Sequence, residues 1–275
     1  MSCIFSALRR LLCLAAIVFA PFAATAAEPP PLSAYGNLPD IESMALSNDG
    51  SRLAAVMTIG GERVVVLMTA ELDTLRMLRI EEAKVRGLEW IGNDHVVVQV
   101  SRTEVLGPEY VDSRIEFFHA LILPANETEQ QQLVFDDSTM LNAVFGSYGV
   151  RNVDGRWKVY FSGIERERGS PELFAIDVAT NEHRRVAAKG SQGYGYSWLL
   201  GTDGTLAAMM AIERRSGDWS LNVPGGRVIA RGTSKDGDIG LVSLGKDGRT
   251  AQSMRTILTA ASTKIGRRAH LDIVD

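Results

Sequence analysis

The 275-residue sequence contains two cysteines, Cys3 and Cys13, and both lie close to its start. The remainder has no thiol, which excludes disulfides, cysteine zinc sites and a cysteine nucleophile from it. Histidine is almost as scarce. His95, His119, His183 and His270 show no H-x-x-x-H or H-E-x-x-H spacing that would set two ligands on one side. Basic clusters are also missing: Arg267-Arg268 is an isolated pair, and the formal charge is −4. That balance argues against a nucleic-acid or anionic-membrane partner. Residues 41–250 show no 3.6-residue amphipathic period, so helices have no basis there. The apolar run Leu11–Phe19 falls short of the roughly 20 residues that span a bilayer, and no stable membrane anchor is expected.

That short run has a different meaning in its context. Arg9 and Arg10 precede it and Ala24-Thr-Ala26 follows. A basic start, a short apolar stretch and an A-x-A end predict a signal peptide over residues 1–26, cleaved near Ala26. The predicted location is therefore periplasmic or secreted. Cleavage would remove both cysteines and two arginines, taking the formal charge from −4 to −6. The mature chain must then be held together by an apolar core, for which its length suffices. Glu28-Pro-Pro-Pro-Leu32 makes residues 27–37 a stiff extended spacer.

The body of the chain repeats one pattern, an Asp- or Asn-containing turn followed by an alternating apolar run. The copies are Leu46–Val56, Trp90–Val100, Val153–Phe161, Trp198–Ala208 and Leu241–Thr250. Asp-Gly suits the left-handed backbone of tight hairpin turns, and alternation puts one face of each strand in a core. Recurrence at about 40–55 residues is the spacing of four-stranded propeller blades. Residues 38–250 are therefore expected to be all-β, a partial β-propeller of about four to five blades. Further strands are predicted at 63–68, 74–80, 115–123, 132–135, 172–178, 182–186, 219–221 and 227–230, with a polar loop at 102–113. Residues 251–275 abandon the pattern in mid-blade. They are read as an atypical tail translated out of frame, with a capping C-terminal helix as the alternative.

Three stretches carry a resemblance: Leu38–Ile41, Met44–Val56 and Leu88–Asp94. Together they look like the start of secreted prolyl oligopeptidase-like serine peptidases, and the similarity extends over roughly residues 38–250. Asn48 stands where that family often has Pro before Asp-Gly. The resemblance implies a seven- or eight-bladed propeller that restricts access to a C-terminal α/β-hydrolase domain with a Ser-Asp-His triad. The G-x-S-x-G elbow of such a domain is absent from these 275 residues. The nearest approach, Gly195-Tyr-Ser197-Trp-Leu199, lacks the second glycine and begins a predicted strand. Ser197 is accordingly not assigned as a nucleophile.

The remaining constellations read as structural. Glu81-Glu82 resembles the glutamate pair with which some dipeptidyl peptidases of the family hold a free amino terminus, but the surrounding residues differ, which favours a solvated inter-blade turn. Glu165-Arg-Glu-Arg168 reads as a self-neutralising loop. Asp136-Asp137 and Asp236-Gly-Asp238 lack the spaced ligand series a calcium site needs. Trp90, Trp157 and Trp198 stand at similar places in their repeats, as inter-blade packing would require. Asn126-Glu-Thr128 matches a short glycosylation sequon. No catalytic, cofactor-binding or metal-ligating residue is assigned, and no cofactor is expected. The expected role is a non-catalytic propeller segment that gates peptides only within a complete enzyme. The alternative is a TolB-like periplasmic propeller that binds a protein partner.

Overall fold

The computed structural model describes residues 40–81, 83–105, 114–188 and 193–234, with Ile239, Leu241 and the backbone of Asp272–Ile273. The first antiparallel sheet contains β1 (Ile41–Leu46), β2 (Arg52–Ile59), β3 (Glu62–Thr69) and β4 (Thr74–Arg79). The second contains β5 (Lys84–Ile91), β6 (His95–Val105), β7 (Arg114–Pro124) and β8 (Gln132–Leu133). The third is built from β9 (Gly146–Val153), β10 (Arg156–Ile164), β11 (Pro171–Asp177) and β12 (His183–Ala187). The fourth comprises β13 (Tyr194–Leu200), β14 (Leu206–Glu213), β15 (Asp218–Asn222) and β16 (Val228–Thr233). In all four, spatial order follows chain order, the meander of a propeller blade. The backbone of β17 (Asp272–Ile273) pairs with Ala230 and Arg231 at the edge of the fourth sheet. The described residues contain no helix. Among the described residues the fold is an all-β partial propeller of four blades.

The repeated turn has one structural place. In every sheet it joins the first strand to the second. Asp154 and Gly155 both take positive φ, 52° and 79°, and close a two-residue turn between paired Val153 and Arg156. Asp49 and Asp203 stabilise wider turns through their carboxylates. Asp49 accepts from Ser51 N–H (2.9 Å), Ser51 Oγ and Ser47 Oγ (both 2.8 Å). Asp203 accepts from Thr205 N–H (3.0 Å) and Thr205 Oγ1 (2.8 Å). These hydrogen bonds, led by that from the backbone N–H of Ser51 or Thr205, lower both pKa values.

Alternation along the strands sends apolar side chains to both faces, so the cores lie between sheets. Ala54, Val56, Val65 and Leu67 of the first sheet meet Trp90, Val96, Val98 and Leu123 of the second. Ile91, Val97 and Ile122 of the second meet Val159, Phe161, Phe174 and Ile176 of the third. Each fully buried Val, Leu or Phe contributes roughly 1.5–3 kcal/mol. The outer face of the fourth sheet packs Ile239 and Leu241, where the fifth copy of the repeat begins.

Three local expectations change. The polar loop predicted at 102–113 is partly strand: β6 and β7 stay paired out to Val105 and Arg114. Here the cross-strand ladder overrides polar composition. The predicted strand 132–135 shortens to β8, because Phe135 adopts a positive φ of 63° and turns with Val134 into the core. Finally, β9 had no predicted counterpart upstream of Val153, since Gly146 and Gly149 interrupt its alternation. The leader 1–26, the spacer 27–37, the tail 251–275 apart from β17, and the fifth repeat beyond Leu241 lie outside the described residues.

Candidate functional site

The first strands of successive sheets touch: β1 meets β5, β5 meets β9, and β9 meets β13. They form the inner rim, and the repeated turns sit at one end of it. Neighbouring blades hold those turns. Arg52 donates from Nη1 to the Asn93 carbonyl at 2.6 Å and pairs with the Asp94 carboxylate at 3.0 Å. Arg151 Nε donates to the Gly201 carbonyl at 3.1 Å. Trp157 lies over Gly92, where an added Cβ would come 2.7 Å from its indole nitrogen. Trp90 donates to the Ala45 carbonyl, and Trp198 packs edge-on against Tyr148 at 5.4 Å. All three tryptophans therefore pack between blades.

Each described histidine has a structural partner. His95 Nε2 stands 3.8 Å from the Glu129 carboxylate, and burial lowers the imidazole pKa against that attraction. His119 Nδ1 is 3.4 Å from Asn142 Oδ1. His183 Nδ1 is 3.2 Å from Asp137 Oδ2, its ring edge-on to Phe135 and Phe174 at 5.9 and 5.6 Å. Ser197 lies within β13, where it pairs with Met210. Its hydroxyl hydrogen-bonds the Tyr148 phenol, which burial pushes up to about 12. The strand-to-helix elbow that exposes a nucleophile is not the setting of this serine.

The acidic pairs also have local structural surroundings. Asp137 Oδ1 accepts from the N–H groups of Thr139 (2.7 Å) and Met140 (3.1 Å) and from Thr139 Oγ1 (2.5 Å). Glu165 pairs with Arg168 at 2.6 Å and with Arg185 at 3.7 Å, and Arg185 also holds buried Glu172 at 3.2 Å. Thus the loop expected to neutralise itself also reaches β12. Asn126 Oδ1 accepts from Thr128 N–H and Oγ1, folding the sequon into a side-chain turn. Glu81 is exposed, while Glu82, Asp236, Asp238 and His270 lie outside the described residues. Among the described residues, no three His, Cys, Asp or Glu side chains are placed to share a metal ion.

Two features had no sequence signal. Glu116 accepts from buried Ser101 Oγ (2.8 Å) and from Arg86 and Lys84; these hydrogen bonds, Ser101 foremost, hold its carboxyl down at about 2. The other is a groove between the third and fourth sheets. One end, about 960 Å³, is lined by Asp154, Lys158, Tyr160, Glu182, Arg184 and Asp203 among others. The other, about 420 Å³, is apolar and includes Tyr194, Tyr196, Met209 and Pro224. Val186 and Leu206 border both ends, making the groove continuous.

No family model matches the sequence. Among solved structures, the chain is similar to the β-propeller domain of the Trilobed protease from Pyrococcus furiosus. They share 16% identity over 68% of this chain and 55% of that one, with a TM-score of 0.39. TolB from Acinetobacter baumannii gives 15% identity over 75% and 44%, with a TM-score of 0.37. An acylaminoacyl peptidase from Pyrococcus horikoshii gives 15% over 73% and 39%, with a TM-score of 0.27. The chain thus spans about half the length of the solved chains it matches.

Proposed function

We propose that these blades are the propeller portion of an exported prolyl oligopeptidase-like serine peptidase, where they restrict peptide access to an active site in a separate hydrolase domain. The observation that carries this reading is the placement of the sequence stretches behind the resemblance. Met44–Val56 and Leu88–Asp94 fall at one structural place in consecutive blades, the first strand with its following turn. An inner rim of first strands borders whatever passes along the axis, which suits a filter over an active site. Export rests on the leader-like residues 1–26 and puts the protein in the periplasm or the medium. In this reading the blades hydrolyse nothing themselves, and the register lost after Thr250 marks a change of reading frame.

The test is to translate the DNA beyond the Thr250 codon in all three frames. The reading predicts a frame that resumes blade strands and later encodes G-x-S-x-G. The absence of such a frame would overturn it and leave a propeller that binds a protein partner.

A further inference from the structure

The groove between the third and fourth sheets exists because that interface is the least filled of the three. Among the described residues, the second and third sheets with their connecting segment bury thirteen apolar side chains in one cluster, and the first and second bury eleven. The third and fourth bury five: Tyr160, Leu173, Ala187, Trp198 and Leu200. Part of the fourth sheet's inner face therefore stays open along the groove.

That face carries an aromatic ladder. Tyr194, Tyr196 and Trp198 alternate along β13 and share one side of it. Successive ring centroids are 6.3 Å apart, at interplanar angles of 31° and 24°. Exposure is graded: Tyr194 is 37% exposed at the mouth, while Trp198 is buried. Tyrosine rings tilted 31° to one another beside an open apolar channel offer flat apolar faces to side chains that pack without hydrogen bonding, such as proline or an aromatic ring. The channel then runs past Val186 and Leu206 into the charged end. There, Arg156 pairs with Asp177 at 2.9 Å and His183 with Asp137 at 3.2 Å. Asp154, Glu182 and Asp203 face Lys158 and Arg184, leaving an excess of acid.

We propose that this groove binds an extended peptide segment in which a proline or aromatic residue precedes a cationic one. The ring packs on Tyr194 and Tyr196, and the cation lies against Glu182 and Asp203. Such a segment enters already extended and loses little conformational entropy on binding. The inference deepens the peptidase reading by naming a peptide subsite between two blades, built on the inner-rim strand β13 and on the turns that follow β9 and β13.

The test uses the 275-residue chain and three fluorescein-labelled peptides in anisotropy titrations. They are acetyl-Phe-Pro-Pro-Arg-Arg-amide, its Glu-Glu counterpart, and acetyl-Ser-Gly-Ser-Arg-Arg-amide. Saturable binding of the first is expected, with at least tenfold weaker binding of the other two. Tyr194→Ala and Glu182→Lys, both at exposed positions, should each weaken the first peptide at least fivefold while leaving the thermal midpoint unchanged. No binding of the first peptide, equal binding of all three, or binding indifferent to both substitutions would overturn the proposal. A hydrolase frame without peptide binding would remove this inference and leave the function reading in place. Peptide binding without such a frame would do the reverse.

Discussion

The indole Nε1 of Trp90 donates to the carbonyl oxygen of Ala45 at 2.9 Å, joining the first strand of the second sheet to the first strand of the first. Trp198 has the matching place in the fourth sheet, yet its buried Nε1 has no hydrogen-bond partner. The same residue at the same repeat position is satisfied in one blade and unsatisfied in another.

This difference separates two otherwise equivalent substitutions. Trp90→Phe removes a donor and leaves the Ala45 carbonyl unpaired, so it should destabilise by about 1–3 kcal/mol. Trp198→Phe loses the same ring volume from a buried cluster but removes a donor that is already unsatisfied, so it should destabilise less than Trp90→Phe. Urea unfolding of both variants checks the pair. A Trp198→Phe loss equal to that of Trp90→Phe would show that the hydrogen bond is not the distinction.

Gly92 combines two constraints: a positive φ of 60° and the Trp157 indole where a Cβ would stand. Gly92→Ala should therefore cost more than the roughly 1 kcal/mol of backbone strain alone. Pairing it with Trp157→Leu should relieve the steric part, so the double variant should lose less than the sum of the singles. Strict additivity in a double-mutant cycle would place the Gly92 effect in the backbone only.

Stability should depend on pH through Glu116. Its folded pKa, about 2, lies below the ordinary glutamate value of 4.5. The ionised form is thus favoured by folding, and its contribution is present above pH 4.5 and lost as pH falls through about 2. Wild type should melt above Glu116→Gln at pH 7, and the difference should close between pH 4.5 and 2. A difference that persists unchanged at pH 2 would assign the effect to packing.

Much of this architecture was legible in the sequence because its repeat sits in local turn chemistry. Asp49, Asp154 and Asp203 mark hairpins that depend on only a few neighbouring residues. The packing role of Trp90, Trp157 and Trp198 was legible from their constant place beside those turns. In contrast, β9 was hidden by its glycines, and the outer part of β6–β7 by polar residues that pair across strands. The His183–Asp137 contact and the groove beside Tyr194 were not legible. Both depend on how separate sheets meet, and no periodicity within one strand encodes that distance.

The function proposed above makes these blades a non-catalytic scaffold. Its most direct test is incubation of the 275-residue chain with a fluorophosphonate serine probe, followed by peptide mass mapping. The account predicts no labelled serine in residues 40–234, with Ser197 hydrogen-bonded to Tyr148 in mid-strand. Stoichiometric labelling of Ser197, or of any other serine in the four sheets, would contradict it.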